Sequence, residues 1–115
     1  MSEEAEVVRR YFDAFNRQDL DAVMATFTDD AEILNTAGDR LRGHPEIRER
    51  YVFMFDTYPD GFCDLTMACG SDGSAAAESV FTGTPKGQTM KVEAKGAELL
   101  TIRDGKISEL RDYHA

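Results

Sequence analysis

In the first half of the chain, apolar residues recur at the spacing of amphipathic helices. The pattern predicts a first helix over residues 3–16, with Ser2 as its N-cap and acidic residues in its first turn. Asp19 predicts the start of a second helix that extends to Phe27, and Pro45 suits the first turn of a third helix that ends near residue 58. The apolar stripes are Val7, Val8, Tyr11, Phe12 and Phe15 in the first helix, Leu20, Val23, Met24 and Phe27 in the second, and Ile47, Tyr51, Met54, Phe55 and Tyr58 in the third. Helices this short need a sheet against which to bury those stripes.

The rest of the chain shows the alternation of apolar and polar residues that is typical of β-strands. The predicted strands are residues 31–35, 62–69, 75–82, 89–102 and 106–114. Residues 71–74 and the pair Asp104-Gly105 are turn sequences, residues 36–43 form a predicted loop, and Gly96 predicts a bulge or bend. The order of elements predicts one α+β domain over residues 1–115. In this fold, three helices from the N-terminal half pack on a curved antiparallel sheet and enclose a cone-shaped, largely apolar pocket.

The composition excludes several classes of function. The 115 residues suffice for one domain, and 42% of them are hydrophobic, which supports one core. No run approaches about 18 consecutive apolar residues, so no membrane span is predicted. The net charge of −9 argues against nucleic acid and anionic membranes as partners, since both attract basic proteins. The acidic N-terminus differs from the basic and then apolar pattern of a signal peptide, which predicts a cytoplasmic protein.

The two cysteines predict neither a disulfide nor a metal site. Cys63 and Cys69 lie in one predicted strand, where residues at this separation are about 20 Å apart. A disulfide needs Cα atoms within about 7 Å, so we expect both cysteines to be reduced core residues. Neither has a histidine or cysteine neighbour at metal-ligand spacing, and the sequence has no phosphate-binding loop. No metal and no cofactor is therefore predicted.

Three segments of the sequence are informative in combination. They are VVRRYFDAFNRQDLDAVMATFTDDAEI, GHPEIRERY and IRDGKISELRDYH. Together they resemble the NTF2-like superfamily, and in particular its SnoaL-like, ketosteroid-isomerase-like and limonene-epoxide-hydrolase-like members. The resemblance extends over nearly the whole chain and implies an α+β cone around a deep apolar pocket, often in a homodimer formed through the convex face of the sheet. Members include isomerases, polyketide cyclases, epoxide hydrolases, dehydratases and proteins without catalysis, so the fold alone does not determine the activity.

The resemblance to the steroid isomerases implies two hydrogen-bond donors. Tyr11 lies in the register of the tyrosine that binds the substrate oxyanion, and Glu98 falls near the protonated aspartate beside it. An apolar site keeps such a carboxylic acid neutral, so that it donates a hydrogen bond. The general base of those enzymes is an aspartate on the first strand, where this chain has Asn35. Because an amide cannot take a proton from carbon, this difference argues against steroid isomerisation.

The resemblance to the epoxide hydrolases implies a site for an activated water. Asn35 matches an asparagine that helps to hold the water, and Asp112 matches the aspartate that activates it. Ile33 replaces the tyrosine expected on the first strand, and residues 77–79 offer no counterpart of the paired arginine and aspartate of the middle strand. For the polyketide cyclases, which use a carboxylate in the same cone, Asp112 is again the natural candidate.

The strand pattern independently favours Asp112 as a site residue. Leu110, Asp112 and His114 share one strand face by period two. A buried carboxylate is costly unless it is paired or protonated, and functional pockets are where this cost is tolerated. The alternative is a solvated aspartate at the rim, or one that pairs with a nearby arginine.

Each remaining candidate also has a structural alternative. Tyr11 lies on the apolar stripe of the first helix, where a tyrosine is usually a core residue with a bonded hydroxyl. Glu98 faces the pocket only if the alternation continues past Gly96, which the sequence leaves open. Asn35 is otherwise a turn-capping amide at the end of a strand. His114 lies next to the last residue, a position that favours a frayed side chain over a catalytic one.

Two hypotheses of function follow. In the first, the chain binds a small hydrophobic molecule and acts on it by acid/base chemistry without a cofactor. Asp112 moves a proton or activates water, while Asn35 holds a water or a substrate oxygen. Tyr11 and a neutral Glu98 donate hydrogen bonds to a developing oxyanion. In the second, the chain is a non-catalytic ligand-binding or dimerisation module whose carboxylates are solvated or simply paired; the incomplete match to each catalytic set favours it.

Overall fold

The computed structural model describes residues 2–114 and contains three helices there. They are α1 (Glu3–Asn16), α2 (Leu20–Ala25) and α3 (Gly43–Thr57). The predicted N-caps of α1 and α2 are confirmed, because the side chains of Ser2 and Asp19 each accept a backbone N–H hydrogen bond of 3.1 Å. α3 begins at Gly43, so Pro45 lies in its first turn, as predicted. None of these described helices is long and apolar enough to cross a membrane.

The six strands of the described chain form one curved sheet. They are β1 (Phe27–Asn35), β2 (Arg40–Arg42), β3 (Phe62–Ser71), β4 (Ser74–Gly83), β5 (Val92–Arg103) and β6 (Lys106–His114). Their order is β2-β1-β6-β5-β4-β3. Neighbouring strands are antiparallel except β1 and β6, which are parallel, so the prediction of an antiparallel sheet is wrong for this pair. Short connections between consecutive strands make the neighbouring pairs of the β3–β6 meander antiparallel. Because β1 and β6 are not consecutive in the chain, their pairing can take either direction.

Several predicted boundaries in the sheet are wrong. β1 begins at Phe27, which the apolar pattern places on the second helix; in the structure Thr26 caps α2, and Phe27 pairs with Ile107 of β6. β2 lies inside the predicted loop. Its sequence is mostly polar and has no strand pattern, but it forms a strand because it pairs with residues 32–34 of β1. β5 begins at Val92 rather than at position 89. The predicted bulge at Gly96 is absent, since pairing with β4 continues through this residue without a register shift, and Gly96 also pairs with His114 at the end of the β5–β6 ladder.

The helices cover one face of the sheet, and the core lies between the two layers. α1 packs on β3 and β4, and α3 packs on β1. The largest fully buried side chains are Tyr51, Phe27, Ile33, Ile47, Ile107, Val7, Val8 and Val23. Full burial of each such side chain contributes about 1.5–3 kcal/mol to the hydrophobic stabilisation. The opposite face of the sheet exposes Met67, Leu99 and Tyr113; association of two copies through this face stays a prediction.

The cysteines differ from the prediction in one respect. Both are unpaired, and Cys63 is buried as expected, but Cys69 is exposed. The pairing of β3 with β4 shifts register between Leu65 and Met67. A bulge reverses which face the later residues of a strand present, so the even spacing of the two cysteines does not place them on the same face.

Candidate functional site

A cavity of about 330 Å³ lies between the helices and the covered face of the sheet. Most of its wall is apolar and aromatic, and all four residues predicted from the sequence line it. The aromatic lining residues are Tyr11, Phe12, Phe15, Tyr51, Tyr58 and Phe81. The predicted residues are Tyr11, Asn35, Glu98 and Asp112. A concave, mostly apolar pocket with a few convergent polar groups is the common form of a small-molecule site.

Strand register explains why three of these side chains meet. Asp112 of β6 pairs with Asn35 of β1 on one side and with Glu98 of β5 on the other, so the three form one row across the sheet. Neighbouring strands lie about 4.8 Å apart, and paired residues point to the same face. His114 lies two positions beyond Asp112 on that face and also lines the cavity. We call Glu98, Asp112 and His114 the polar cluster.

Asp112 is held on both of its oxygens. Nη2 of Arg50, on α3, donates to Oδ2 at 3.1 Å, and Nδ1 of His114 forms a short contact with Oδ1. The side chain of Asp112 is 14% exposed and that of Arg50 25%. The pairing of Asp112 with an arginine, which the sequence left as the alternative to a functional role, is therefore present, but it lies inside the cavity rather than at a solvated rim.

His114 is ordered by its neighbours, so the expectation of a frayed residue is wrong. Nδ1 contacts Asp112, and Nε2 lies 3.8 Å from Oε2 of Glu98. The hydrogen bond with Asp112 raises the pKa of His114, which burial partly opposes. The imidazole thus lies between the two carboxyl groups and holds a proton more tightly than a free histidine does.

Glu98 is the most buried acid of the polar cluster, with 4% of its surface exposed. Ser79 of β4 donates from Oγ to Oε2 at 2.8 Å, while Oε1 has no hydrogen-bond partner within the described part of the chain. Burial raises the pKa of Glu98, although the Ser79 bond and the charge of His114 oppose this effect. Glu98 thus faces inward, and its Oε1 is buried without a hydrogen-bond partner in the described chain.

The opposite wall presents two tyrosine hydroxyls. Oη of Tyr11 and Oη of Tyr51 lie 2.5 Å apart in the core. Burial raises the pKa of Tyr51 to about 12 and that of Tyr11 well above its ordinary value, so both hydroxyls keep their protons at neutral pH. Because one hydroxyl must donate to the other, the pair has one remaining proton to offer.

Asn35 serves the turn after β1. Its Oδ1 accepts from the backbone N–H of Asp39 at 3.0 Å, and its Nδ2 donates to Oδ2 of Asp39 at 3.3 Å. These bonds are the turn-capping role that the sequence offered as the alternative for Asn35. The residue also borders the cavity, so only its remaining hydrogen-bonding capacity is open to a ligand.

The family of the chain is shown by a comparison with known proteins. A model of the SnoaL-like domain matches residues 8–110. The chain belongs to the SnoaL-like domain family. This result confirms the resemblance to the NTF2-like superfamily and places the cavity in a fold that hosts several chemistries. No curated protein matches the sequence.

Solved structures support the same fold for this SnoaL-like domain. A putative polyketide cyclase from Xanthomonas campestris pv. campestris is 24% identical, with a TM-score of 0.87 over 98% of this chain and 90% of that one. An epoxide hydrolase of M. tuberculosis, described as LEH-like, is 19% identical, with a TM-score of 0.86 over 98% and 83%. A hypothetical protein with a ketosteroid-isomerase-like fold from Catenulispora acidiphila is 21% identical, with a TM-score of 0.86 over 94% and 84%. At these identities the likeness shows the fold alone.

Three further residues of the SnoaL-like domain lie in the candidate site or bind its polar groups, although the sequence did not identify them as site residues. Arg50 lies between Ile47 and Met54 at helical spacing, so its place beside the buried stripe was a signal that an arginine would reach inward. Tyr51 was assigned to the core, and nothing in the sequence indicates that its hydroxyl meets that of Tyr11. Ser79 lies on the inward face of β4, as its alternation with Ala77 indicates.

The donor atoms of the polar cluster also bear on the prediction of no metal. One ligand atom from each of Glu98, Asp112 and His114 lies within 4.8 Å of the others. The sequence does not predict this cluster, because the pairing of β5 with β6, rather than local spacing, brings Glu98 beside Asp112 and His114. The separation suits a divalent ion, but the guanidinium of Arg50 already binds Asp112 and would repel a cation there. The arrangement therefore fits proton transfer better than metal binding.

Proposed function

We propose that this SnoaL-like domain binds a small, largely apolar molecule in the cavity and moves a proton on it without a metal or an organic cofactor. The observation that supports this proposal is the free Oε1 of Glu98, buried beside the His114 imidazole in an otherwise apolar cavity. A buried polar atom without a partner costs about 1–3 kcal/mol. A ligand that supplies the partner removes this cost and is oriented by it.

The contacts divide the roles among the polar residues. Asp112, fixed by Arg50, orients the imidazole and stabilises its charged form, as carboxylates do for catalytic histidines. His114 then takes or returns the proton. This division modifies the sequence hypothesis, in which Asp112 itself moves the proton, because both oxygens of Asp112 are engaged.

Two further groups stabilise the charge that develops on the ligand. Glu98, in its neutral form, donates from its free oxygen to a ligand oxygen, and the Tyr11–Tyr51 pair donates its remaining proton from the other wall. Donors fixed in a water-poor cavity stabilise an oxyanion more strongly than water does. Asn35 lies at the rim, where it orients a ligand oxygen or a water.

The ligand is a compact molecule with one polar end. The cavity volume of about 330 Å³ lies at the lower end of the range of small-molecule pockets, about 300–1,000 Å³, and suits a molecule of one or two rings. The relatives described as a polyketide cyclase and an epoxide hydrolase make carbonyl compounds and epoxides the first classes to test. Isomerisation, cyclisation and hydrolysis all fit the proposed proton transfer.

The test is a ligand screen followed by an assay of turnover. Hydrophobic ketones, lactones and epoxides of one or two rings are added to isotope-labelled protein, and NMR shifts of Glu98, His114 and Tyr11 are followed. A ligand that shifts all three is then assayed with the unsubstituted protein, with His114→Gln and with Glu109→Gln. Glu109 pairs with Arg111 on the other face of β6, so this variant controls for the loss of a carboxylate from the same strand.

We expect His114→Gln to abolish turnover while ligand binding persists, and Glu109→Gln to retain both. Turnover that survives His114→Gln would contradict the assignment of the proton to this residue. Ligands that bind without any turnover in the unsubstituted protein would instead support the second candidate function, a non-catalytic binding module. The use of Asn35 by the turn and of both Asp112 oxygens by protein groups favours that candidate.

A further inference from the structure

A glycine lies directly beside the histidine of the polar cluster. Gly96 of β5 pairs with His114 of β6 and, on its other side, with Ser79 of β4. The pairing is continuous at this point, and the φ angle of Gly96 is outside the left-handed region. Neither a bulge nor the backbone conformation therefore requires a glycine here.

A side chain at position 96 would occupy the place of the imidazole. A Cβ built on Gly96 would lie 2.6 Å from Cδ2 and 2.7 Å from Cγ of His114, and 2.5 Å from the carbonyl oxygen of Tyr113. Carbon atoms in favourable contact are about 3.5–4.0 Å apart. The ring thus lies directly on the bare backbone of β5.

We propose that Gly96 is a positioning residue, whose missing side chain forms the seat that holds the His114 ring against the sheet between the two carboxyl groups. With any side chain in the seat, the ring must turn away from β5 into the cavity. Nδ1 then leaves Asp112, and Nε2 loses its place near Glu98, from which it is now 3.8 Å. The inference rests on the proposed function only for the role of His114; the seat itself belongs to the free protein.

Gly83 provides a matched control at the other end of the cavity. A Cβ on Gly83 would lie 2.9 Å from Cδ1 of Tyr58 and 3.0 Å from Cζ of Phe81. Both rings line the cavity, and neither belongs to the polar cluster. Gly83→Ala therefore intrudes on cavity rings without touching the seat, although its contacts are a few tenths of an ångström longer than those at Gly96 and involve side chains only.

The test compares the two variants by NMR titration of the histidine rings in the ligand-free protein, with His44 as the internal reference. In Gly96→Ala we expect the pKa of His114 to fall toward its ordinary value, because the ring loses its bond with Asp112 and stands apart from Glu98 and Arg50, the other charged groups that face it. In Gly83→Ala the titration of His114 stays as in the unsubstituted protein. An unchanged His114 pKa in Gly96→Ala would overturn the proposal even if stability falls, since a purely structural glycine predicts loss of stability alone.

If Gly96→Ala does not fold well enough for the titration, a second comparison tests the proposal by stability. In the double variant Gly96→Ala/His114→Ala the ring is gone and the seat is free for the new methyl group. We expect its urea midpoint to lie above that of Gly96→Ala, with partial recovery because the contact with the Tyr113 carbonyl remains. Losses that simply add, or a double variant that also fails to fold, would overturn the proposal. Because no ligand enters either measurement, a failure of the proposed function is separate from a failure of the seat.

Discussion

The two ends of the cavity are held together by different forces. At the apolar end, Phe81 packs edge-on against Phe15 and Tyr58, with ring centroids 6.3 and 5.1 Å apart. At the other end, Asp112 and its partners form directional, charged hydrogen bonds. Ring packing depends on area and shape and is insensitive to pH, whereas the polar cluster depends on protonation and on exact placement. From this difference we expect the apolar end to contribute mainly stability and the polar end to carry the proposed chemistry.

The largest expected effect is at the apolar end. Phe15→Ala removes a buried ring that contacts Tyr11, Phe55 and Phe81. We expect it to lower the free energy of unfolding by about 3–5 kcal/mol, the usual cost of such a cavity, measured by urea denaturation. Phe53→Ala is the control, because this ring is 65% exposed and its loss should cost about 0.5 kcal/mol or less. Equal losses in the two variants would contradict the division between the ends.

A smaller loss of stability is expected from the centre of the polar cluster. Asp112→Asn keeps the shape but removes the charge that Arg50 and His114 share. We expect a decrease of about 1–3 kcal/mol in the free energy of unfolding at neutral pH, together with a lower pKa of His114 by NMR. Glu109→Gln, on the opposite face of β6, should change stability by about 0.5 kcal/mol at most. A His114 pKa that does not respond would show that Asp112 is not its main partner.

The pH dependence of stability should separate the two ends further. The bond with Asp112 raises the pKa of His114 above its ordinary value of 6.5. The folded protein therefore holds this proton more tightly than the unfolded chain, so the stabilisation is complete below pH 6.5 and is lost as the pH rises through the folded-state pKa. Burial also raises the pKa of Glu98 above its ordinary value of 4.5. The contribution of Glu98 to stability therefore has the same sign: it is complete below pH 4.5 and is lost as the pH rises through the folded-state pKa.

Urea denaturation at a series of pH values checks this prediction. We expect the unsubstituted protein and Phe15→Ala to lose stability with parallel slopes as the pH rises, because Phe15 itself does not titrate. His114→Gln should have a shallower slope above pH 6.5, the ordinary pKa of the imidazole. An identical slope in His114→Gln would assign the pH dependence to other groups.

The smallest effect on stability is expected for Glu98→Gln. The carboxyl group is buried and one of its oxygens has no partner in the described chain, so a negative charge on it would be only partly compensated. We expect a change within about 1 kcal/mol at neutral pH, and weaker binding of any ligand whose oxygen contacts this group. A loss as large as that of Asp112→Asn would show instead that the charge of Glu98 is well paired.

Much of the fold was predictable because helix and strand periods are local. The N-caps at Ser2 and Asp19 follow from short-range pattern alone, whereas the inward facing of Glu98 depends on an alternation that Gly96 left open. Phe27 was misassigned because a single apolar residue next to a helix fits the helical stripe as well as the strand. The parallel pairing of β1 with β6 has no local signal, since it joins residues far apart in the chain.

The candidate site was predictable only in part, and for the same reason. The placement of Asp112 on an apolar strand face revealed it, but its partner Arg50 comes from α3, 62 residues away in the chain, and no local pattern joins the two. His114 was undervalued because its position near the last residue outweighed the strand-face pattern that places it on the same side as Asp112. Gly96 shows a third limit: a glycine inside a strand suggests a bulge, whereas here it accommodates a ring from the neighbouring strand.

The parallel pairing of β1 with β6 has a consequence for the order of folding. It joins Asn35 to Asp112 and so completes the row of polar residues. Closing so long a loop costs entropy before any contact compensates for it, and such pairings are expected to form late. The hairpins and helices can therefore assemble before the cavity is complete. A molecule that binds this cavity would bind only chains in which β1 has already paired with β6. Substitutions in the polar cluster should accordingly speed unfolding more than they slow folding.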